Sequence, residues 1–254
     1  MPSKKDTGWG KVANWYDALL DMDGTYQKEL ILPNLERIME LKNSDKVLDI
    51  ACGQGFFSRE FARKSGEVVG ADISKELIKI AKEKAGKNEK YFVIPADKMA
   101  EEIQSNYFDK ATIILAIQNI ENFNGALGQA SRSLKPGGRL FLVLNHPAFR
   151  IPQKTAWAFD EEKKIQYRRV DEYLSESRTE IDMTPGKSKK EMTVSFHRPL
   201  QAYVKSLVKN GLLVSRLEEW NSHKKSEAGP RQLAEDKARK EIPLFLLIEA
   251  VKQG

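Results

Sequence analysis

The chain has 254 residues, 41% of them hydrophobic and 31% charged, with 16 glycines and 10 prolines. That composition supports a sizeable core and excludes a collagen-like, low-complexity or wholly disordered chain. A single cysteine, Cys52, excludes an internal disulfide and a Cys-rich zinc module. The net charge of +6 is unevenly spread: residues 1–149 hold 21 basic and 20 acidic side chains, residues 150–254 hold 21 and 16. Such a basic surplus suits an anionic partner or an ordinary solvated surface, and its short basic runs, such as 187–190, lack interleaved aromatics, which argues against nucleic acid. No apolar run approaches the roughly 20 residues of a membrane span. The polar first ten residues lack a secretory apolar segment, so a cytoplasmic protein is expected.

In chain order, residues 1–26 form an aromatic, amphipathic segment with Trp9, Trp15 and Tyr16, read as a lid or as an N-terminal helix packed on the core. Apolar residues at Leu30, Ile31, Leu35, Ile38, Met39 and Leu41 predict a helix over 27–42, with Pro33 in its first turn. Strands are expected at 47–51, 67–72, 91–94, 108–117 and 139–145, and helices at 56–64, 75–85 and 125–134. Ser74 caps the second of these helices. The turn Lys135-Pro136-Gly137-Gly138 precedes the fifth strand. A helix over 199–210, capped by Gly211, and strands at 212–220 and 244–251 complete the chain, with a loop joining the last two. The alternation implies an α/β, doubly wound Rossmann-like sheet of seven strands, mostly parallel, in one domain spanning 1–254. The stretch 147–198 is too long for a plain connection and reads as a strand-containing insertion capping the ligand end of the sheet.

The run Asp49-Ile50-Ala51-Cys52-Gly53-Gln54-Gly55 leaves the first strand, and its glycines let backbone approach a ligand closely. Asp72, ending the second strand, can accept two hydrogen bonds from a ribose diol, the chemistry of a nucleoside site. A dinucleotide is disfavoured, because Ser58 stands where its fingerprint needs glycine and Asp49 would face a pyrophosphate with like charge. A cationic, phosphate-free nucleoside such as S-adenosylmethionine suits the carboxylate better.

With Val47–Gly55, Asp72, Ala96-Asp97-Lys98, Phe108-Asp109 followed by Ala116-Ile117-Gln118-Asn119-Ile120, and Leu134-Lys135-Pro136-Gly137-Gly138, the sequence resembles the class I S-adenosylmethionine-dependent methyltransferases. It looks most like their small-molecule, quinone-biosynthesis-type branch. The Asn-Pro-Pro-aromatic signature of DNA and glutamine N-methyltransferases is absent. The resemblance implies S-adenosylmethionine as cofactor and methyl transfer to a small-molecule acceptor. It implies that Gly53 and Gly55 lie against the cofactor with Asp49 toward its amino-acid end. Asp72 would hold the ribose, Ile73 the adenine face, and Asp97, with Lys98 beside it, the adenine amine. Gln118 would lie near the methyl group, and Ala51, Ile117 and Tyr16 complete the cofactor-facing set.

On the acceptor side the candidates are Trp15, Asn145, Arg150, Trp157 and Arg198. Of three histidines, His146 and His197 are candidate general bases, or else a turn-ordering and a helix-capping residue, and His223 is read as surface. No metal is implied. Two alternatives stay open: an RNA methyltransferase using the basic C-terminal part, and a non-catalytic S-adenosylmethionine-binding subunit. Acceptor, methylated atom and oligomeric state are left undetermined.

Overall fold

A computed structural model describes residues 8–184 and 190–254. Residues 1–7 of the N-terminal segment and 187–189 of the basic run lie outside the described residues. A 3₁₀ turn, Trp9–Val12, leads into α1 (Ala13–Asp21). The helix expected over 27–42 begins instead as one π-helical stretch, Gln27–Ile31, and continues as α2 (Leu32–Met39), with Pro33 in the first α-turn.

The alternating core follows: β1 (Lys46–Ile50), α3 (Phe56–Ala62), β2 (Glu67–Asp72), α4 (Lys75–Glu83), β3 (Glu89–Val93), β4 (Phe108–Ile114), α5 (Phe123–Ser133) and β5 (Leu134–Asn145). Two antiparallel hairpins occupy the insertion, β6 (Thr155–Asp160) with β7 (Ile165–Val170) and β8 (Ser177–Asp182) with β9 (Met192–His197). Then come α6 (Leu200–Lys209), β10 (Leu212–Trp220), α7 (Gln232–Glu241) and β11 (Phe245–Lys252). Helix α7 falls where the sequence reading has a loop. Its residues are largely polar, and Leu233 is almost fully exposed, so no apolar stripe announces it.

The sheet has seven strands in the order β10-β11-β5-β4-β1-β2-β3. Only β11 runs antiparallel to its neighbours. The turn at 135–138 sits inside β5 as an excursion between the pairs Phe108↔Leu134 and Lys110↔Arg139, with Gly137 in the left-handed region. Strand residues alternate between two cores. Leu48, Ile113, Leu142 and Ile248 face one side with α5 and α6, and Val47, Val68, Val143 and Leu247 face the other with α2 and α3. Both faces are covered, which is why these strands read as nearly continuous apolar runs. The order reverses between β1 and β4. Such a switch point opens a crevice at the strands' C-terminal ends. Among the described residues no helix is long and apolar enough to cross a membrane.

Candidate active site

Beyond β1 the backbone takes three left-handed steps, Ala51 at φ 56°, Gly53 at 58° and Gly55 at 80°. Cys52 N–H donates to the Ala71 carbonyl (3.1 Å), which ties this loop to β2, and Gly55 N–H donates back to the Cys52 carbonyl (3.1 Å). A Cβ on Gly53 would meet only Tyr16 Cε1, at 3.8 Å, so open space lies over the backbone there. A Cβ on Gly55 would come within 2.7 Å of the Tyr91 hydroxyl, so that glycine serves close packing and the entry to α3.

Two carboxylates back the loop. Asp49 faces the α3 side of β1 and is 2% exposed. Ser58 Oγ donates to its Oδ2 (2.6 Å) and Thr112 Oγ1 to its Oδ1 (2.8 Å). Burial pushes Asp49 up to about 6, against the pull of the two hydroxyls, and the Asp72 charge adds to the rise. Asp72 accepts from Gly53 N–H at Oδ2 (2.9 Å) and from Ser74 N–H at Oδ1 (2.8 Å). Each oxygen retains further acceptor capacity. Burial raises its pKa, and the backbone donors oppose that. The Cys52 thiol is pushed well up by burial and by both carboxylates, so it stays protonated and fits packing better than nucleophilic attack. Tyr16 is pushed up to about 12 by burial, with Gln27 and Asp72 as its polar neighbours. Its ring packs edge-on to Trp9 at 5.2 Å, so the N-terminal segment folds over the glycine loop.

Beyond β4 the chain is again strained, with Leu115 at φ 52° ahead of a 3₁₀ turn, Ile117–Asn119. Ile117 is fully buried. Gln118 Nε2 donates to the Leu115 carbonyl (2.8 Å), and its Oε1 is buried without a partner among the described residues. Arg198 clamps the same loop. Its guanidinium donates to the carbonyls of Ile117 (3.4 Å), Ile120 (3.0 Å) and Glu121 (2.9 Å), and stacks on Phe123 at 4.2 Å. Asn119 Nδ2 donates to the Val194 carbonyl (2.8 Å), which joins the loop to β9. Nearer β3, Asp97 accepts from Asn122 Nδ2 (3.0 Å), Lys98 is exposed, and Ile73 stands exposed beside Asp72.

Gln118, Asn145, Arg150, His197 and Arg198 line one shallow cleft. Arg150 also lines a second, larger cleft, shared with Trp157. Trp15 lies on α1 and lines neither. His197 Nε2 donates to the Tyr173 carbonyl (2.8 Å), which leaves Nδ1 as the unprotonated nitrogen of the neutral ring. His146 is differently placed. Its Nδ1 accepts from the N–H groups of Ala148 (3.2 Å) and Phe149 (3.4 Å), and its Nε2 meets Glu219 (2.7 Å). Burial lowers its pKa despite Glu219. Both nitrogens are thus engaged in ordering the turn after β5, and neither is free to take a proton from an acceptor.

Residues 48–142 match the profile of the Methyltransferase domain family. A demethylmenaquinone methyltransferase of Staphylococcus aureus is 28% identical over 130 residues, which cover 50% of this chain and 54% of that protein. The chain therefore spans about half the length of the curated relatives it matches. A crystal structure of an S-adenosylmethionine-dependent methyltransferase from Mesorhizobium loti superposes with a TM-score of 0.71 at 26% identity, covering 91% of this chain and 99% of the other. The chain is thus similar to S-adenosylmethionine-dependent methyltransferases, over residues 48–142 in sequence and over most of its length in fold. A Listeria monocytogenes structure, at 23% identity and a TM-score of 0.67 over 87% of this chain and 98% of its own, shares the fold.

Several groups of this site leave no local mark in the sequence. In the sequence Ser58 reads only as a missing glycine, yet it holds Asp49. Thr112 reaches Asp49 because β1 and β4 pair Asp49 with Thr112, a register no local pattern displays. Tyr26, Arg168 and Arg239, which line the larger cleft, come from three distant segments.

Proposed function

We propose that the chain binds S-adenosylmethionine over the Gly53–Gly55 loop and transfers its methyl group to a small-molecule acceptor held in the adjoining clefts. The observation that carries this is the open, Cβ-free surface over Gly53 flanked by two buried carboxylates, one of them with acceptor capacity left on both oxygens. Asp72 receives the ribose hydroxyls, and Ile73 supplies an apolar surface for the adenine. Asp97, with Lys98 beside it, reaches the adenine amine, and Ala51 and Ile117 line the path between. Asp49 provides fixed negative charge behind the loop for the amino-acid end. The cofactor supplies an electrophilic methyl on a cationic sulfur. Against that group the protein has chiefly to position and desolvate.

Gln118 and Asn145 present polar atoms at the junction of loop and cleft, and Arg150 and Trp157 extend the acceptor side. Arg198 acts by holding the post-β4 loop in place. The N-terminal segment, through Tyr16 and Trp15, closes over the cofactor and excludes water. The insertion 147–198 caps the acceptor, and its two hairpins support that reading. His197 takes the proton where the nucleophile carries one. A quinol-type acceptor, as the name of the Staphylococcus aureus relative suggests, fits aromatic walls. Activity in the cytoplasm is consistent with one unpaired cysteine in the chain.

Incubation with methyl-labelled S-adenosylmethionine and a panel of quinols and phenols tests the reading. Label passing into one acceptor class is expected. Bound cofactor with no transfer to any acceptor would favour the non-catalytic alternative.

A further inference from the structure

The larger cleft is lined by three arginines and no carboxylate. Arg150 follows β5, Arg168 lies on β7 and Arg239 on α7, so the turn after β5, the insertion and the C-terminal helix converge. Tyr26, Phe149 and Trp157 supply its aromatic walls. Two of the three arginines are partly anchored. Arg168 donates to the Phe149 carbonyl (3.0 Å) and to Thr155 (2.8 Å) and lies 5.1 Å over the Trp157 ring, and Arg239 donates to Ser226 Oγ (2.9 Å). Arg150 makes no side-chain hydrogen bond or ion pair among the described residues, and it alone of the three also lines the smaller cleft. Asp236 feels the Arg239 charge, but it accepts from Ser226 N–H (2.7 Å) and lines neither cleft.

Gathering guanidinium groups without a counter-charge is unfavourable. The cost shows in Arg168, whose pKa is lowered by burial and by the Arg150 charge, and in Arg150, lowered by burial. An oxyanion offsets it. Carboxylate and phosphate oxygens match the planar guanidinium fork and gain charge-assisted hydrogen bonds in a partly desolvated site. Part of the C-terminal basic surplus is thereby concentrated in one concavity instead of being spread as a nucleic-acid-binding face would be.

We propose that the cleft of Arg150, Arg168 and Arg239 binds an oxyanion, a carboxylate or a phosphate, borne on an aromatic or apolar body, and that this is the anionic end of the acceptor. Its role in the acceptor rests on the methyl-transfer reading above. Its capacity to bind an oxyanion does not. Arg150, common to both clefts, sets the anion beside the space next to Gln118 where the reacting atom lies. The acceptor is therefore held by its charge at one end and presented at the other.

Calorimetric titration of the full chain with benzoate, phenyl phosphate, benzyl alcohol and inorganic phosphate, without cofactor, tests the site. Benzoate or phenyl phosphate is expected to bind at least tenfold more tightly than benzyl alcohol and than inorganic phosphate, and the tighter of the two names the anion. Arg150→Gln is expected to weaken that binding about tenfold while leaving S-adenosylhomocysteine affinity and Tm unchanged. Arg168→Lys, which keeps the charge but not the fork, should weaken it less than Arg168→Gln. Equal affinity for benzyl alcohol, equal affinity for inorganic phosphate, or indifference to Arg150→Gln would each overturn the proposal. Failure of S-adenosylhomocysteine to bind the intact chain would instead remove the methyl-transfer reading and leave the oxyanion site standing.

Discussion

Asp49 is a buried acid whose folded pKa of about 6 lies above its ordinary value of 3.8. Between those values the native state holds more protons than the unfolded one, so this group's contribution to stability falls as pH rises through the window. Above about pH 6 its full cost of about 3 kcal/mol is present, and below about pH 4 it is absent. Asp49→Asn is accordingly expected to raise Tm at pH 7.5 and to leave it nearly unchanged at pH 4, which melting curves at both values check. A cationic ligand reverses the preference by favouring the carboxylate. S-adenosylmethionine binding at pH 5.5 should therefore release a fraction of a proton, read by calorimetry in buffers of different ionisation enthalpy. The histidines separate on the same scale. His197→Gln should lower kcat with KM retained in steady-state kinetics. His146→Gln should lower Tm by leaving the Ala148 and Phe149 N–H groups unpaired, at about 1–3 kcal/mol.

The loop after β4 has few internal bonds and is held from outside, by Arg198 between β9 and α6 and by Asn119 to β9. Arg198→Ala removes a charged donor from three carbonyls and should cost about 2–4 kcal/mol in denaturant unfolding and raise acceptor KM. Arg198→Lys should recover only part of this, because an ammonium cannot reproduce the planar fork over Phe123. The N-terminal segment docks by smaller means. Lys84, at the C-cap of α4, bonds Asp17 of α1 at 2.7 Å, and Tyr16 lies over Gly53. Tyr16→Ala should speed dissociation of S-adenosylhomocysteine about tenfold in stopped-flow while barely changing Tm, since one partly buried ring contributes little to a core built elsewhere. An unchanged off-rate would show that the segment is packing alone.

Across the whole molecule, the features legible in the sequence are those with local causes. Strands buried on both faces leave apolar runs, the glycine loop declares its close approach, and Ser74 does cap α4, accepting from Leu77 N–H at 3.2 Å. What escaped depends on distant segments meeting. The three arginines of the larger cleft are separated by 18 and 71 positions, so only the folded sheet brings them together. Helix α7 lies on the surface with little apolar area to mark it, and the π-helical entry to α2 leaves the apolar spacing almost intact. The sequence displays serine in place of a third glycine at position 58 but not its use, because the hydrogen bond to Asp49 spans a strand-to-helix turn.

The central claim is that Asp72 and the glycine loop hold S-adenosylmethionine. The most direct measurement is calorimetric titration of the intact chain and of Asp72→Ala with S-adenosylmethionine and S-adenosylhomocysteine, with Tm measured for both proteins. Removing two hydrogen bonds to a charged acceptor should weaken binding on the order of 100-fold. Micromolar binding by the intact chain, lost in a variant that still melts cooperatively, is the predicted result. No binding by the intact chain, or equal binding by the variant, would contradict it.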